Sequence, residues 1–349
     1  MAGSAGGIVT RVSPPVQPES MSEQPELGFG SASARSVAII GAAGYVGSKV
    51  IDRLVRDRRA VETILAIDTR VVPVDRQKEG VIYEVLDVRS AELSERFREH
   101  RVESVVHLAS VTNPPKEMST HDQYSVAVDG THNVVEACLT ADVLQLIVIS
   151  GAAAYGYHAD NPVPLVETSP LRGNNEFAYA KHKRLVEESL ARFRVAHPGL
   201  IQLVLRPSTI LGEVTSNQLT ELFVRPVMIG VSGTASPFVF ILDDDVAACI
   251  VKGIHERRAG VFNVAADGVI TARDIARRTG ARLYELPGDV LRAGLSLMRT
   301  CRLTQYGPEQ VAFLQYRPIL SNAALKGEFG FTPTMTSPEV FDLWWRSRR

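Results

Sequence analysis

The 349-residue sequence is short of several features that would have pointed to particular functions. It has three cysteines, Cys138, Cys249 and Cys301, with no CxxC pair and no Cys/His cluster at metal-binding spacing. A disulfide scaffold and a structural zinc site are therefore not expected, and the three thiols read as reduced and buried in a cytoplasmic protein. Charge of one sign is also missing. Lys and Arg number 38 against 39 Asp and Glu, a net charge of -1. Such a balance gives no global field for nucleic acid or an anionic membrane surface, so the expected partner is a small molecule. No run approaches the ~20 apolar residues of a membrane-spanning helix. Residues 1–35 are rich in Gly, Ser, Pro, Glu and Gln and lack an apolar core segment. They read as a disordered leader, with Met21 as an alternative start.

From Val37 onward, short β-branched runs alternate with amphipathic helical stretches. That alternation predicts an α/β fold, a Rossmann-type doubly wound parallel sheet with helices on both faces. The strand candidates are SVAII, TILAID, GVIYEVLD, SVVHLAS, LQLIVIS and IQLVLRPSTI. The helix YAKHKRLVEESLARFRVAH would bury Leu185, Leu190 and Phe193 and turn most of its charged residues outward. We place a dinucleotide-binding domain over 36–210 and a smaller, mixed substrate lobe over 211–349. The strand GVFNVAA in that lobe is a candidate to return to the main sheet.

The stretch VAIIGAAGYVGSKV sets Gly41, Gly44 and Gly47, with Tyr45 and Val46 between the last two, at a strand-to-helix turn. Glycine there permits a tight turn and a close approach of the backbone to a pyrophosphate, which the helix N-terminus attracts. Asp68 ends the second strand, where a carboxylate suits ribose hydroxyls and repels a 2′-phosphate, so NAD is favoured. Arg70, two residues on, keeps NADP as the alternative. Tyr179 and Lys183 are four apart on a predicted helix and share a face. An ammonium beside a phenol stabilises the phenolate, making a usable general acid/base.

These motifs, together with Asp87-Val88, HLAS at 107–110, RPSTILG at 206–212 and LKGEFGFTP, resemble the extended short-chain dehydrogenase/reductase superfamily from Ser36 to the C-terminus. The resemblance implies that Asp87 and Val88 border the adenine, that Leu108, Ala109 and Ser110 run beside the nicotinamide ribose, and that Pro207 lies near the carboxamide. It also implies that Tyr179 exchanges a proton with substrate while Lys183 holds the ribose, and that a homodimer forms through helices flanking the tyrosine. The family pattern puts a Ser or Thr four residues before the tyrosine of the YG pair at 155–156; that position is Gly151. Ser150 precedes it by one and would reach the site only through a bulge. Ser110, Thr112 or a water are the other sources of a hydroxyl. Ala127 stands where many relatives carry asparagine, while Asn133 is retained. Asp243, Asp244 and Asp245 read as caps of the following helix rather than a metal site.

The substrate lobe shows no evident diphosphate clamp, and Leu291, Leu295, Met298 and Phe313 read as apolar pocket walls. The expected activity is an NAD(P)-dependent oxidoreductase interconverting a secondary alcohol and a ketone on a fairly apolar molecule. The alternatives are a nucleotide-sugar epimerase or dehydratase with tightly bound NAD, and a non-catalytic dinucleotide sensor.

Overall fold

A computed structural model describes residues 35–110, 115, 117–301, 303–304 and 307–349. The leader before Arg35, and Thr112, lie outside these residues. Strands β1 (Arg35–Ile40), β2 (Val61–Asp68), β3 (Val81–Val85), β4 (Ser104–His107), β5 (Gln145–Ile149) and β6 (Ile201–Pro207) come first. Between them run α1 (Tyr45–Arg56), α2 (Leu93–Glu99), α3 (Thr120–Tyr124), α4 (Gly130–Thr140) and α5 (Ala178–Ala196). Later strands are β7 (Thr209–Leu211), β8 (Val227–Val231), β9 (Pro237–Phe238), β10 (Phe240–Leu242), β11 (Gly260–Val264), β12 (Ile270–Thr271) and β13 (Arg282–Leu286). The accompanying helices are α6 (Gln218–Phe223), α7 (Asp243–His255), α8 (Ala272–Thr279), α9 (Gly288–Thr300), α10 (Gln310–Gln315), α11 (Ala323–Gly327) and α12 (Ser337–Arg346).

Seven strands form one sheet in the order β11-β6-β5-β4-β1-β2-β3, and every pairing in it is parallel. Both faces are covered, which is why β1 reads as an almost unbroken apolar run. Its residues alternate between layers. Val37 and Ile39 join Val50, Ile51 and Leu54 of α1 and Ile250 and Ile254 of α7. Ala38 and Ile40 join Phe97 of α2, Val134 and Val135 of α4 and Leu190 of α5. The strand GVFNVAA does return to the main sheet, as β11 beside β6. Strand order reverses between β1 and β4, whose register sets Ile40 opposite His107. A crevice opens beyond the carboxyl ends of strands at such a point.

A third core gathers Phe223, Phe238, Phe240, Phe341 and Trp344 around the short strands of the substrate lobe. Several sequence expectations change here. Cys138 and Cys249 are buried but Cys301 is exposed, because α9 buries no residue completely. Leu291 and Leu295 are only half-buried and Met298 is exposed, so α9 contributes no enclosed apolar wall. On α5, Leu190 is buried as expected, yet so are Lys183 and Glu187. Among the described residues, no helix is long and apolar enough to cross a membrane.

Candidate active site

The chain leaves β1 through Gly41 at φ +88°, a conformation that favours glycine. A Cβ on Gly41 would stand 2.9 Å from the Ala109 backbone nitrogen, so the glycine turn and the HLAS segment lie in contact at the strand-order reversal. A Cβ on Gly44 would be 3.0 Å, and one on Gly47 2.3 Å, from the Gly41 carbonyl oxygen. α1 has no side-chain cap and no acidic residue in its first turn, so its first N–H groups are left for a ligand. This backbone cradle fits a dinucleotide pyrophosphate. The Tyr45 hydroxyl bonds to Asp243 and Thr215, and the Val46 side chain packs against the core. Lys49 joins Asp243 and Asp244 at 3.0 Å each. Burial and the Asp243 carboxylate push the Tyr45 phenol above its ordinary range.

Of the three consecutive acids, only Asp243 takes a first-turn amide, that of Asp244 at 2.8 Å. Asp244 pairs with Lys49, and Asp245 accepts from the backbone and hydroxyl of Thr334. The capping expectation therefore holds for one residue in three, since neighbouring side chains diverge.

Asp68 is buried and accepts the Ala43 amide at 3.0 Å, which ties the end of β2 to the glycine turn. Its carboxylate also accepts from the Arg70 backbone and guanidinium, at 3.0 and 3.1 Å. Arg70 is thus held against the acid beside which a 2′-phosphate would sit. Asp87 is bridged by Arg89 at 2.8 Å, which keeps its carboxyl below the usual range. Val88 is buried, and a Cβ on Gly130 would strike it at 2.6 Å. Asn133 bonds the carbonyls of Val88 and Ser90, both at 2.9 Å, fixing that loop.

Tyr179 lies in the first turn of α5, and Lys183 follows one turn later. Lys183 donates to the Ile149 carbonyl at 2.9 Å, and its Nζ is 5.6 Å from the centroid of the Tyr179 ring. Burial lowers the Lys183 ammonium to about 8. Burial also raises the Tyr179 phenol, with the Tyr157 phenol adding to the effect. In the protein alone the ammonium does not offset that burial, so Tyr179 is held as the acid. A small cavity of about 20 Å³, room for roughly one water, is lined by Tyr179, Lys183, His107, Ser110, Ala127 and Thr131 among others. Burial takes His107 down to about 3, so it is neutral, and its Nε2 meets the Thr131 hydroxyl at 2.9 Å.

Ser150 is not brought to Tyr179. Its hydroxyl donates to Glu187 of α5, a contact shorter than ordinary hydrogen bonds. The period-two alternation of β5 explains this: Leu146 and Val148 face the α5 layer, and Ser150 continues the same series. Glu187 in turn holds Arg206 through a buried ion pair at 2.6 Å, and Arg206 donates to the Tyr155 hydroxyl, also at 2.6 Å. A Cβ on Gly151 would stand 3.7 Å from the Tyr179 hydroxyl and 3.8 Å from the carbonyl oxygen of Pro207. Gly151 is therefore the position that faces the phenol, and it carries no side chain.

Sequence reasoning missed two groups nearby, Tyr157 and Arg317. Tyr157 packs edge-on against Phe177 and Phe313, with centroids at 5.4 and 5.0 Å. Arg317 lies between the rings of Phe313 and Phe238, 4.0 Å from each centroid, and its Nε and Nη2 are buried with no hydrogen-bond partner among the described residues. A charged residue in an otherwise apolar stretch, FLQYRPIL, was the only available signal for Arg317. Tyr157 also lines a larger cleft of about 580 Å³ with His158, Arg172, Asn174, Arg184 and Tyr316.

Three comparisons bear on this site. The model of the NAD dependent epimerase/dehydratase family matches residues 37–265. An uncharacterised protein of Mycobacterium tuberculosis is 24% identical over 315 residues, covering 89% of this chain and 84% of that protein. A UDP-glucose 4-epimerase of Erwinia amylovora is 29% identical over 203 residues, 53% of this chain and 56% of the epimerase. Among solved structures, the UDP-glucose 4-epimerase of Thermotoga maritima with UDP-glucose superposes with a TM-score of 0.69 at 18% identity, over 90% of this chain and 98% of that one. The dTDP-glucose 4,6-dehydratase of Bacillus anthracis in complex with NAD gives 0.70 at 16% identity, over 90% and 96%.

Proposed function

Starting from the premise that the chain belongs to the NAD-dependent epimerase/dehydratase family, we propose that it interconverts a secondary alcohol and a ketone on a small molecule, with Tyr179 as general acid/base. The observation that carries this reading is the buried Lys183 ammonium set 5.6 Å from the centroid of the half-buried Tyr179 ring, in a cavity shared with Ala109 and Ser110 of the segment that touches the glycine cradle. Gly41, Gly44 and Gly47 would hold the pyrophosphate of NAD, and Asp68 would hold the adenosine ribose. When bound, NAD supplies the hydride acceptor or donor. Tyr179 takes the proton of the carbinol oxygen or returns it to the carbonyl. Lys183, fixed by the Ile149 carbonyl, places a positive charge beside the phenol and favours its ionised form when the substrate oxygen needs a base. The aromatic wall of Tyr157, Phe177 and Phe313 suits a substrate with an apolar body.

One observation favours a second reading, a nucleotide-sugar epimerase or dehydratase that regenerates its NAD. Arg317 Nε and Nη2, which have no hydrogen-bond partner among the described residues, are the kind of buried donors that a phosphate would satisfy. A panel of secondary alcohols, ketones and nucleotide sugars, run with NAD and followed by absorbance and mass spectrometry, separates the two. Product formation with stoichiometric NADH change supports the first. Product without net NADH change supports the second, and no product from any compound refutes both.

A further inference from the structure

We propose that Glu187 is a positioning residue for the proton-transfer pair: anchored by Arg206, its carboxylate fixes α5 against the end of β5 and keeps a negative charge one helical turn from Lys183. The catalytic consequence rests on the redox chemistry proposed above, whichever substrate class proves correct. The first ground is a three-point register between strand and helix. The Ile149 carbonyl accepts from Lys183 at 2.9 Å, the Ser150 hydroxyl donates to Glu187, and a Cβ on Gly151 would stand 3.7 Å from the Tyr179 hydroxyl. Three consecutive residues at the end of β5 thus meet three residues of α5 spaced by four, which share one face of the helix. A slide or rotation of α5 would break all three contacts together.

The second ground is what holds Glu187. Arg206 Nε lies 3.0 and 2.8 Å from its two carboxylate oxygens, and Nη2 lies 2.6 Å from Oε2, with both side chains buried. Arg206 Nη1 donates to the Tyr155 hydroxyl at 2.6 Å and to the Glu167 carbonyl at 2.8 Å, so the guanidinium is itself fixed. None of these contacts involves Ser150, which is the lesser tie. A buried ion pair is a weak source of net stability compared with apolar side chains of similar volume, whereas its forked hydrogen bonds set geometry closely. The third ground is charge. Lys183 shares its cavity with Tyr179 and His182 of α5 and with the neutral His107 of β4, while Arg206, Tyr155 and Arg194 lie around Glu187. Glu187 is the one carboxylate in this set, and it opposes the burial that lowers the Lys183 ammonium. Without it the ammonium would lose its proton at lower pH, and Tyr179 would lose the charge that favours its ionised form.

The test compares wild type, Glu187→Gln and the double variant Glu187→Leu/Arg206→Met. Glu187→Gln keeps the side-chain shape and removes its charge, but it leaves the Arg206 guanidinium buried without a counter-ion and should lower Tm. The double variant removes both charges and should regain most of that Tm; if Glu187→Gln fails to fold, the double variant carries every measurement. The first readout needs no substrate. In protein labelled with carbon-13 at the lysine Cε, the Lys183 resonance, identified by its loss in Lys183→Met, is followed by NMR as pH is varied. Lys183 should titrate about one pH unit lower in Glu187→Gln, and in the same direction but by less in the double variant, where a more distant cation is lost as well. The second readout is turnover of NAD-loaded protein on the panel compound used most readily. From a wild-type value of about 8, that change takes Lys183 at pH 8 from about half charged to about a tenth, so kcat should fall roughly fivefold and the basic limb of the pH profile should move down with it. Calorimetric NAD affinity should stay within about twofold in the double variant, whose glycine cradle is untouched. Lys183 titrating as in wild type in every variant that folds overturns the inference, as does a double variant with wild-type kcat and pH profile. A wild type inactive on the whole panel overturns the redox reading instead, and the Lys183 titration then decides by itself whether Glu187 sustains the ammonium.

Discussion

Replacing Gly47 by alanine tests the cofactor cradle without any knowledge of the substrate. The new Cβ would lie 2.3 Å from the Gly41 carbonyl oxygen and 2.9 Å from the Ala42 Cα, short of the 3.4 Å of ordinary contact by about 1 Å against the first. Both neighbours are backbone, so no side chain can swing away, and α1 must withdraw from the turn. Overpacking of this kind costs about 1–3 kcal/mol. Alanine inside a helix returns up to ~1 kcal/mol relative to glycine. The net loss of stability is therefore small, and the main effect falls on the cradle. If ligand binding has to restore the geometry, about 1–3 kcal/mol corresponds to a ~5- to 150-fold weaker Kd for NAD. Gly294 is the control: it lies within α9 and a Cβ there would meet nothing within 4 Å. Gly294→Ala should raise Tm by a degree or two, on the order of ~1 kcal/mol, without changing NAD affinity. Calorimetric titration with NAD and thermal melting of the three proteins decide the matter. A Gly47→Ala protein that binds NAD as wild type does, and gains stability as Gly294→Ala does, would refute the reasoning.

Tyr179→Phe should retain NAD affinity and lose ~10²–10⁴-fold in turnover on the compound identified by the panel; near-native turnover would remove Tyr179 from the acid/base role. Ser150→Ala should behave oppositely, losing a hydrogen bond to a charged acceptor worth roughly 1.5–3 kcal/mol and leaving kcat intact. A large fall in kcat at unchanged Tm would return Ser150 to the catalytic set. Lys183 gives a pH signature. Its folded pKa of about 8 is below the ordinary 10.5, so between these values the unfolded chain holds a proton that the folded chain has released. Stability should therefore rise with pH through that window, by about 3 kcal/mol relative to a Lys183→Met reference. Denaturant titrations of both proteins at pH 7 and pH 10 measure the difference, and parallel stability curves would show that the buried ammonium is not destabilised.

How much could be read from the sequence depended on how local the determining interactions are. The parallel sheet followed from β-branched runs alternating with amphipathic helices, because burial on both faces imposes that pattern strand by strand. The glycine cradle followed in the same way, since the requirement for small residues at 41, 44 and 47 arises within one turn and its adjoining helix. Even the absence of a hydroxyl at Gly151 was visible by counting back from Tyr155. The fate of Ser150 was not, since it depended on which layer β5 presents at that residue and on finding Glu187 and Arg206 waiting there. Likewise the α5 pattern suggested outward charges, whereas the fold buries Lys183 and Glu187.

What the sequence by itself determined is the architecture, the glycine turn after β1 and the Tyr179/Lys183 spacing, because each is encoded by residues at most a few turns apart. Only the tertiary structure decided which polar groups face one another across the site. Tyr157, Phe177, Phe313 and Arg317 come from segments as far as 160 positions apart, and they meet because strand order and the return of the C-terminal lobe bring them there. Side-chain direction is set by register and layer contacts summed over the whole fold, and no local window of sequence contains that information.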